Sequence, residues 1–118
     1  MQFNPTIPIY LQIMDQIKRE VVTGVLARGE RIDSVRALAE KFNVNLNTMQ
    51  RACSELERDQ VISTKRGIGS FVTEDDKVII QIKQQMSAGM VSDFIAGMRS
   101  IGFSPDEIVD IVKKEVRS

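Results

Sequence analysis

Between residues 47 and 58 the chain gathers Asn47, Thr48, Gln50, Arg51, Ser54 and Arg58. Amides, hydroxyls and guanidinium groups share one chemistry: they donate to and accept from base edges, and they clamp phosphates. An ordinary solvated helix face is built from Glu and Lys instead. Downstream, Lys65-Arg66-Gly67-Ile68-Gly69 sets two adjacent cations into a stretch with two glycines. Such a bend lets backbone approach a neighbour closely, and its charge suits phosphates or a narrow minor groove. Arg36 adds a further cation upstream. The chemistry these residues point to is recognition of double-stranded DNA.

Other chemistries find little material. The chain has no His, which removes the commonest general base and metal ligand. Its carboxylates are scattered, and no nucleophile motif, phosphate-binding loop or zinc spacing is present. An enzyme is therefore not expected, and neither a cofactor nor a metal. The single Cys53 excludes an internal disulfide and falls on an apolar stripe, which predicts a buried, inert thiol. With 118 residues there is room for one domain and an appendage. Sixteen Lys and Arg balance sixteen Asp and Glu, so any attraction to DNA is local rather than global. No run is long enough to span a bilayer and no signal-peptide pattern opens the chain. The expectation is a cytoplasmic protein without a membrane partner.

The elements that must position the polar ridge follow from periodicity. Met49, Ala52, Cys53 and Leu56 form one apolar stripe, so residues 45–59 read as a helix whose opposite face carries Asn47, Arg51, Ser54 and Arg58. Thr48 and Gln50 flank that face. Asn45 is an N-cap candidate for this helix, and Ser34 for a shorter one before it in which Ala37, Leu38 and Phe42 face inward. Asn43 between them tolerates the left-handed backbone of a sharp turn. Residues 61–64 and 70–73 read as two strands joined by the basic tip 65–69. Helix, turn, helix and basic hairpin in that order describe a winged helix-turn-helix.

Ahead of it, Ile9, Ile13, Ile17 and Val21 recur every four residues with Tyr10 and Met14 beside them. Pro8 suits the first position of this amphipathic helix, which ends near Gly24. Two short helices cannot bury a core alone, so the first helix is expected to pack across them. A connector follows, with its turn at Gly29, and Ile32 is expected to start a short strand beside the wing.

Residues 8–72 resemble the DNA-binding domain of the GntR family of bacterial transcription regulators. The resemblance rests on Pro8-Ile9-Tyr10, Gly29-Glu30-Arg31-Ile32, Ser34-Val35-Arg36, Leu38-Ala39 and Gly67-x-Gly69-x-Phe71-Val72. The run Val44-Asn45-x-Asn47-Thr48-x-Gln50-Arg51-Ala52 resembles the YtrA subfamily. It implies that Arg36, Asn47, Thr48 and Arg51 contact the operator and that Gly67 and its neighbours enter the minor groove. Taken with the ridge, the candidate DNA-binding residues are Ser34, Arg36, Asn45, Asn47, Thr48, Gln50, Arg51, Lys65, Arg66, Gly67 and Gly69. The chain departs from the family pattern at Asp33, Asn43, Leu46, Gln60-Val61 and Ile68. Asn43 and Gln60 stand where glycine is common. Leu46 and Ile68 replace a proline and a basic residue, so no base contact is carried over to those two positions.

After the wing, Glu74-Asp75-Asp76 favours a helix start. Ile79, Ile82, Met86, Met90, Phe94, Met98 and Ile101 then keep helical spacing. Gly102 ends that helix. Ser104 and Glu107 make a capping box for a last helix, with Pro105 at its first position and Ile108, Ile111, Val112 and Val116 as its stripe. Two such helices leave apolar surface over. The expectation is a mainly α chain: a winged helix-turn-helix domain, 1–75, and a helical dimerisation tail, 76–118. Ile82, Met86, Met90, Phe94, Met98, Ile108, Ile111 and Val112 are expected at a homodimer interface. The resemblance also implies dimerisation through a short two-helix tail. Two helices leave little room for a small-molecule pocket in one subunit, so an unknown effector would bind between subunits. The functional expectation is a homodimeric repressor on a two-fold symmetric operator. The alternative is a winged-helix module that binds protein instead of DNA.

Overall fold

In the computed structural model, which describes residues 1–118, the four-residue repeat near the N-terminus winds into α1 (Ile9–Val22). Ile13, Met14, Ile17 and Val21 are buried, whereas Ile9 at its start is exposed. Pro8 occupies the N-cap rather than the first helical position, and its carbonyl accepts from the N–H groups of Leu11 and Gln12. The chain divides into two units, Met1–Ile82 and Lys83–Ser118.

In the first unit α1 is followed by β1 (Arg31–Ile32), α2 (Val35–Phe42) and α3 (Leu46–Arg58). Both short helices start on side-chain caps: Ser34 Oγ accepts from Ala37 N at 3.1 Å, and Asn45 Oδ1 from Thr48 N at 2.8 Å. Each cap satisfies one orphan donor of a first turn. Ala37 is exposed, contrary to the sequence expectation, and Ala39 is buried in its stead beside Leu38 and Phe42. Because α2 starts at Val35, its inner stripe runs 35, 38, 39, 42, and position 37 rotates outward.

Both helices also end alike. Asn43 (φ 55°) and Gln60 (φ 65°) take the left-handed backbone. Beyond them, Val44 N donates to Ala39 O and Val61 N to Leu56 O, while Asn43 N and Gln60 N reach Glu40 O and Glu57 O. This pattern of paired bonds closes a helix C-terminus and is normally built on glycine. Leu56 and Val61, which it brings together, are fully buried.

The wing is the hairpin β2 (Ile62–Lys65) and β3 (Gly69–Val72), and β1 adds to it in the order β1-β3-β2. All pairs are antiparallel, with Ile62 opposite Val72, Lys65 opposite Gly69 and Arg31 opposite Phe71. Strand register places Ile62 and Val72 inward. Ile13 of α1, Met49 and Leu56 of α3, and Val61 and Val72 at the sheet form the fully buried centre of this unit. α3 is thus fixed by its apolar stripe from three directions, by α1, α2 and β2.

α4 (Asp76–Ser100) begins in the first unit, where Ile79 and Ile82 are buried, and continues into the second, where none of its residues is. A left-handed Gly102 (φ 96°) turns the chain toward α5 (Pro105–Val116). The expected capping box is present: Ser104 Oγ accepts from Glu107 N at 3.2 Å, and Ser104 N donates to Glu107 Oε1 at 2.9 Å. Those bonds, the backbone one first, hold the Glu107 carboxyl below the usual carboxylate range. A lowered carboxyl stabilises above its ordinary range, and the contribution is lost as pH falls through the folded value.

Gln60 lies where glycine adopts the backbone freely. Gln60→Gly is expected to raise stability by about 0.5–1 kcal/mol, while Asn43→Gly changes it by less because Asn tolerates the conformation. Urea unfolding midpoints check this; a lower midpoint for Gln60→Gly would contradict it.

Candidate nucleic-acid interface

α3 carries the polar ridge as its period requires. Met49, Ala52, Cys53 and Leu56 are buried, and Asn47, Gln50, Arg51, Ser54 and Arg58 are exposed, with Thr48 half-buried at the edge. Gln50 Nε2 donates to Ser54 Oγ at 3.3 Å, a weak tether that leaves most of its amide free. Asn47 makes no side-chain hydrogen bond. Asn45 spends its carbonyl oxygen on the cap of α3, and Ser34 its hydroxyl oxygen on the cap of α2. Their primary work is therefore structural, and the cap of α2 also sets where Arg36, exposed in its first turn, begins. Burial raises the Cys53 thiol above its ordinary range, and Glu57 raises it further, so the thiol is the protonated, unreactive form at neutral pH.

At the wing, Lys65 and Arg66 are exposed, and Lys65 Nζ sits 4.9 Å from the centroid of the Phe71 ring. Gly67 (φ 78°) makes the tip turn, with Ile68 N donating to Lys65 O across it. Gly69 serves a different need. Its φ is 147°, and a Cβ placed there would lie 2.8 Å from Arg31 Nε. The Arg31 side chain crosses the wing at this point. Ser34, Gln50 and Gly69 line one cleft together with Arg31, Ser54 and Thr64, of about 620 Å³, between the start of α2, α3 and the wing. Arg36, Asn47, Arg51, Lys65 and Arg66 lie outside that cleft. Arg51 instead rests on Tyr10 of α1, its guanidinium carbon 3.9 Å from the ring centroid.

Four of the sixteen cations are ion-paired. Lys18, Arg19, Arg28 and Arg58 pair with Asp59, Asp15, Asp76 and Glu55. Arg31, Arg36, Arg51, Lys65 and Arg66 have no acidic partner. Unpaired surface cations keep their full charge for an external anion. Arg31 was not singled out by spacing. Its strand was expected beside the wing at Ile32, and β1 does pair with β3 there, but the reach of the Arg31 side chain across to Gly69 has no local pattern.

The residues expected at a dimer interface divide by exposure. Ile82 and Ile108 are buried within the chain, Met86, Met98 and Ile111 are half-buried, and Met90, Phe94 and Val112 are exposed. Val91, Ile101, Val109 and Val116 extend the exposed apolar surface, Ile101 being 71% and Val116 77% exposed. No helix of the chain is long and apolar enough to cross a membrane.

The profile described as bacterial regulatory proteins, gntR family, matches residues 9–72. The chain is 36% identical over 112 residues to the uncharacterized HTH-type transcriptional regulator YhcF of Bacillus subtilis (strain 168), covering 95% of this chain and 93% of that one. It is 34% identical over 106 residues to the HTH-type transcriptional repressor YtrA of the same organism, covering 83% and 82%. Among solved structures, a GntR family transcriptional regulator from Listeria monocytogenes superposes with a TM-score of 0.86 at 40% identity, covering 95% of this chain and 98% of that one.

The two wing glycines should respond differently. Gly69→Ala combines a strained backbone with the Arg31 contact and is expected to cost about 1–3 kcal/mol, part of it recovered in an Arg31→Ala background. Gly67→Ala meets open space and should cost about 1 kcal/mol. Thermal unfolding of the four proteins checks this; equal costs, with no relief from Arg31→Ala, would contradict it.

Proposed function

The chain belongs to the gntR family of bacterial regulatory proteins, among its YtrA-like members, and is a DNA-binding transcriptional regulator; from that premise we propose that it is a cytoplasmic homodimeric repressor on a two-fold symmetric operator. In this reading α3 lies in the major groove. Asn47, Thr48, Gln50 and Arg51 face base edges and phosphates there, and Arg36 at the start of α2 holds the backbone. Lys65, Arg66 and Gly67 enter the adjacent minor groove, with Gly69 and the Arg31 side chain that crosses it beside the tip. Ser34 and Asn45 act by fixing the two helix starts, whose free N–H groups also favour a nearby phosphate. The chain carries no catalytic role of its own.

The observation that carries this reading is the exposed face of amides, hydroxyls and unpaired cations that α3 presents opposite its buried stripe, with two more unpaired cations on the wing. Arg36, Arg51, Lys65 and Arg66 are exposed and lack acidic partners, while Arg58 at the far end of the ridge pairs with Glu55. Dimerisation is supported by the exposed apolar side chains of α4 and α5, among them Met90, Phe94 and Val112. Surface of this kind is removed from water by a symmetric copy of itself. Repression then follows from occupancy: a dimer seated over a promoter excludes polymerase.

Two measurements test the reading. In gel shifts with DNA fragments selected by the protein, Arg51→Ala is expected to weaken specific binding by about 1–3 kcal/mol. Lys65→Ala should weaken all sequences alike and reduce the salt slope by about 1. No change in either would contradict DNA recognition through this face. In sedimentation at micromolar concentration the chain is expected to be a dimer and Phe94→Asp a monomer; a monomeric parent chain would contradict the proposed assembly.

A further inference from the structure

Arg51 is held by a side chain outside the helix-turn-helix. Its guanidinium carbon lies 3.9 Å from the centroid of Tyr10, and Nη2 donates to Tyr10 Oη at 3.2 Å. Tyr10 is the chain's single tyrosine, in the first turn of α1 and one turn before the buried Met14. Packing of α1 on α3 brings that turn beside the middle of α3. No carboxylate competes for the guanidinium. Asn47, Arg36 and Arg66 have no comparable support, and Lys65 rests on Phe71 at a longer 4.9 Å.

We propose that Tyr10 is a positioning residue for operator recognition, acting through Arg51. This rests on the reading that α3 meets DNA. An arginine is long and rotamer-rich, and its ordering opposes binding. Stacking on a ring fixes the plane of the guanidinium, and the hydroxyl fixes its rotation in that plane. One N–H is used by Tyr10, and the remaining donors of the fork stay free for an acceptor pair on the duplex. The start of α1 is therefore part of the recognition apparatus although it does not itself touch a base. The hydroxyl-to-guanidinium bond also sets the sign of the conservative change: phenylalanine keeps the stack and loses only the rotational lock.

The test is a double-mutant cycle by fluorescence anisotropy, using a selected operator duplex and a scrambled duplex, with melting curves for every variant. Tyr10→Leu is expected to weaken operator binding by about three- to tenfold and Tyr10→Phe by less than about threefold. In an Arg51→Ala background, Tyr10→Leu should have no further effect. Equal losses in both backgrounds would overturn the proposal, because Tyr10 would then act directly on DNA or only through stability, the latter seen as a lowered melting temperature. So would unchanged binding by Tyr10→Leu in a protein that Arg51→Ala weakens. A parent protein that does not prefer its operator over the scrambled duplex would remove the reading of α3, and this proposal with it.

Discussion

The constraint on which this structure depends is that one 13-residue helix must serve two surfaces. Met49, Ala52 and Leu56 leave no solvent-exposed area, so α3 cannot rotate about its axis without opening the core. Rotational freedom removed on the apolar side is also removed on the polar side. Asn47, Gln50 and Arg51 therefore point where the core dictates. The same logic explains the short helix before it, whose buried Leu38, Ala39 and Phe42 fix the outward direction of Arg36. The left-handed turns at Asn43 and Gln60 hold each end at a defined angle. The geometry of the polar ridge is a consequence of packing.

Charge placement supplies the second layer. A chain of zero net charge has no general attraction to a polyanion, and its useful potential comes from where neutralisation is withheld. Ion pairs bind Lys18, Arg19, Arg28 and Arg58 to their own chain. Exposed pairs of this kind contribute little stability. They leave Arg36, Arg51, Lys65 and Arg66 among the unpaired cations of the domain. Aromatic rings support two of those cations: Tyr10 beneath Arg51 and Phe71 beneath Lys65. Such supports keep a cation in place without cancelling its charge.

Much of this was legible in the sequence because it is local. Caps at Ser34, Asn45 and Ser104, the left-handed Asn43, the stripe of α3 and the presence of the hairpin are all written within a few residues of where they act, although each wing strand lies one residue nearer the tip than 61–64 and 70–73. The face of α2 was read one step off at Ala37, since a helix of eight residues shifts its stripe with a one-residue change of start. What sequence patterning missed is long-range. Arg51 meeting Tyr10 spans 41 positions, and Arg31 meeting Gly69 needs β1 to join the wing. Neither contact leaves a periodic trace. Ile82 and Ile108 illustrate the same limit from the other side: both lie on apolar stripes, and only the fold distinguishes them, buried, from the exposed Phe94 and Val112.

The central claim is that the ridge of α3 and the basic wing address one face of a duplex, twice over in a symmetric pair. Hydroxyl-radical and guanine-methylation footprinting of a selected operator measures this most directly. The expected pattern is two major-groove patches protected from methylation, separated by about 34 Å or a multiple of it, each flanked by a protected stretch of minor groove. Arg66→Ala should erase the minor-groove protection while leaving the major-groove patches. A single unsymmetric patch, or protection of minor groove alone, would contradict the account.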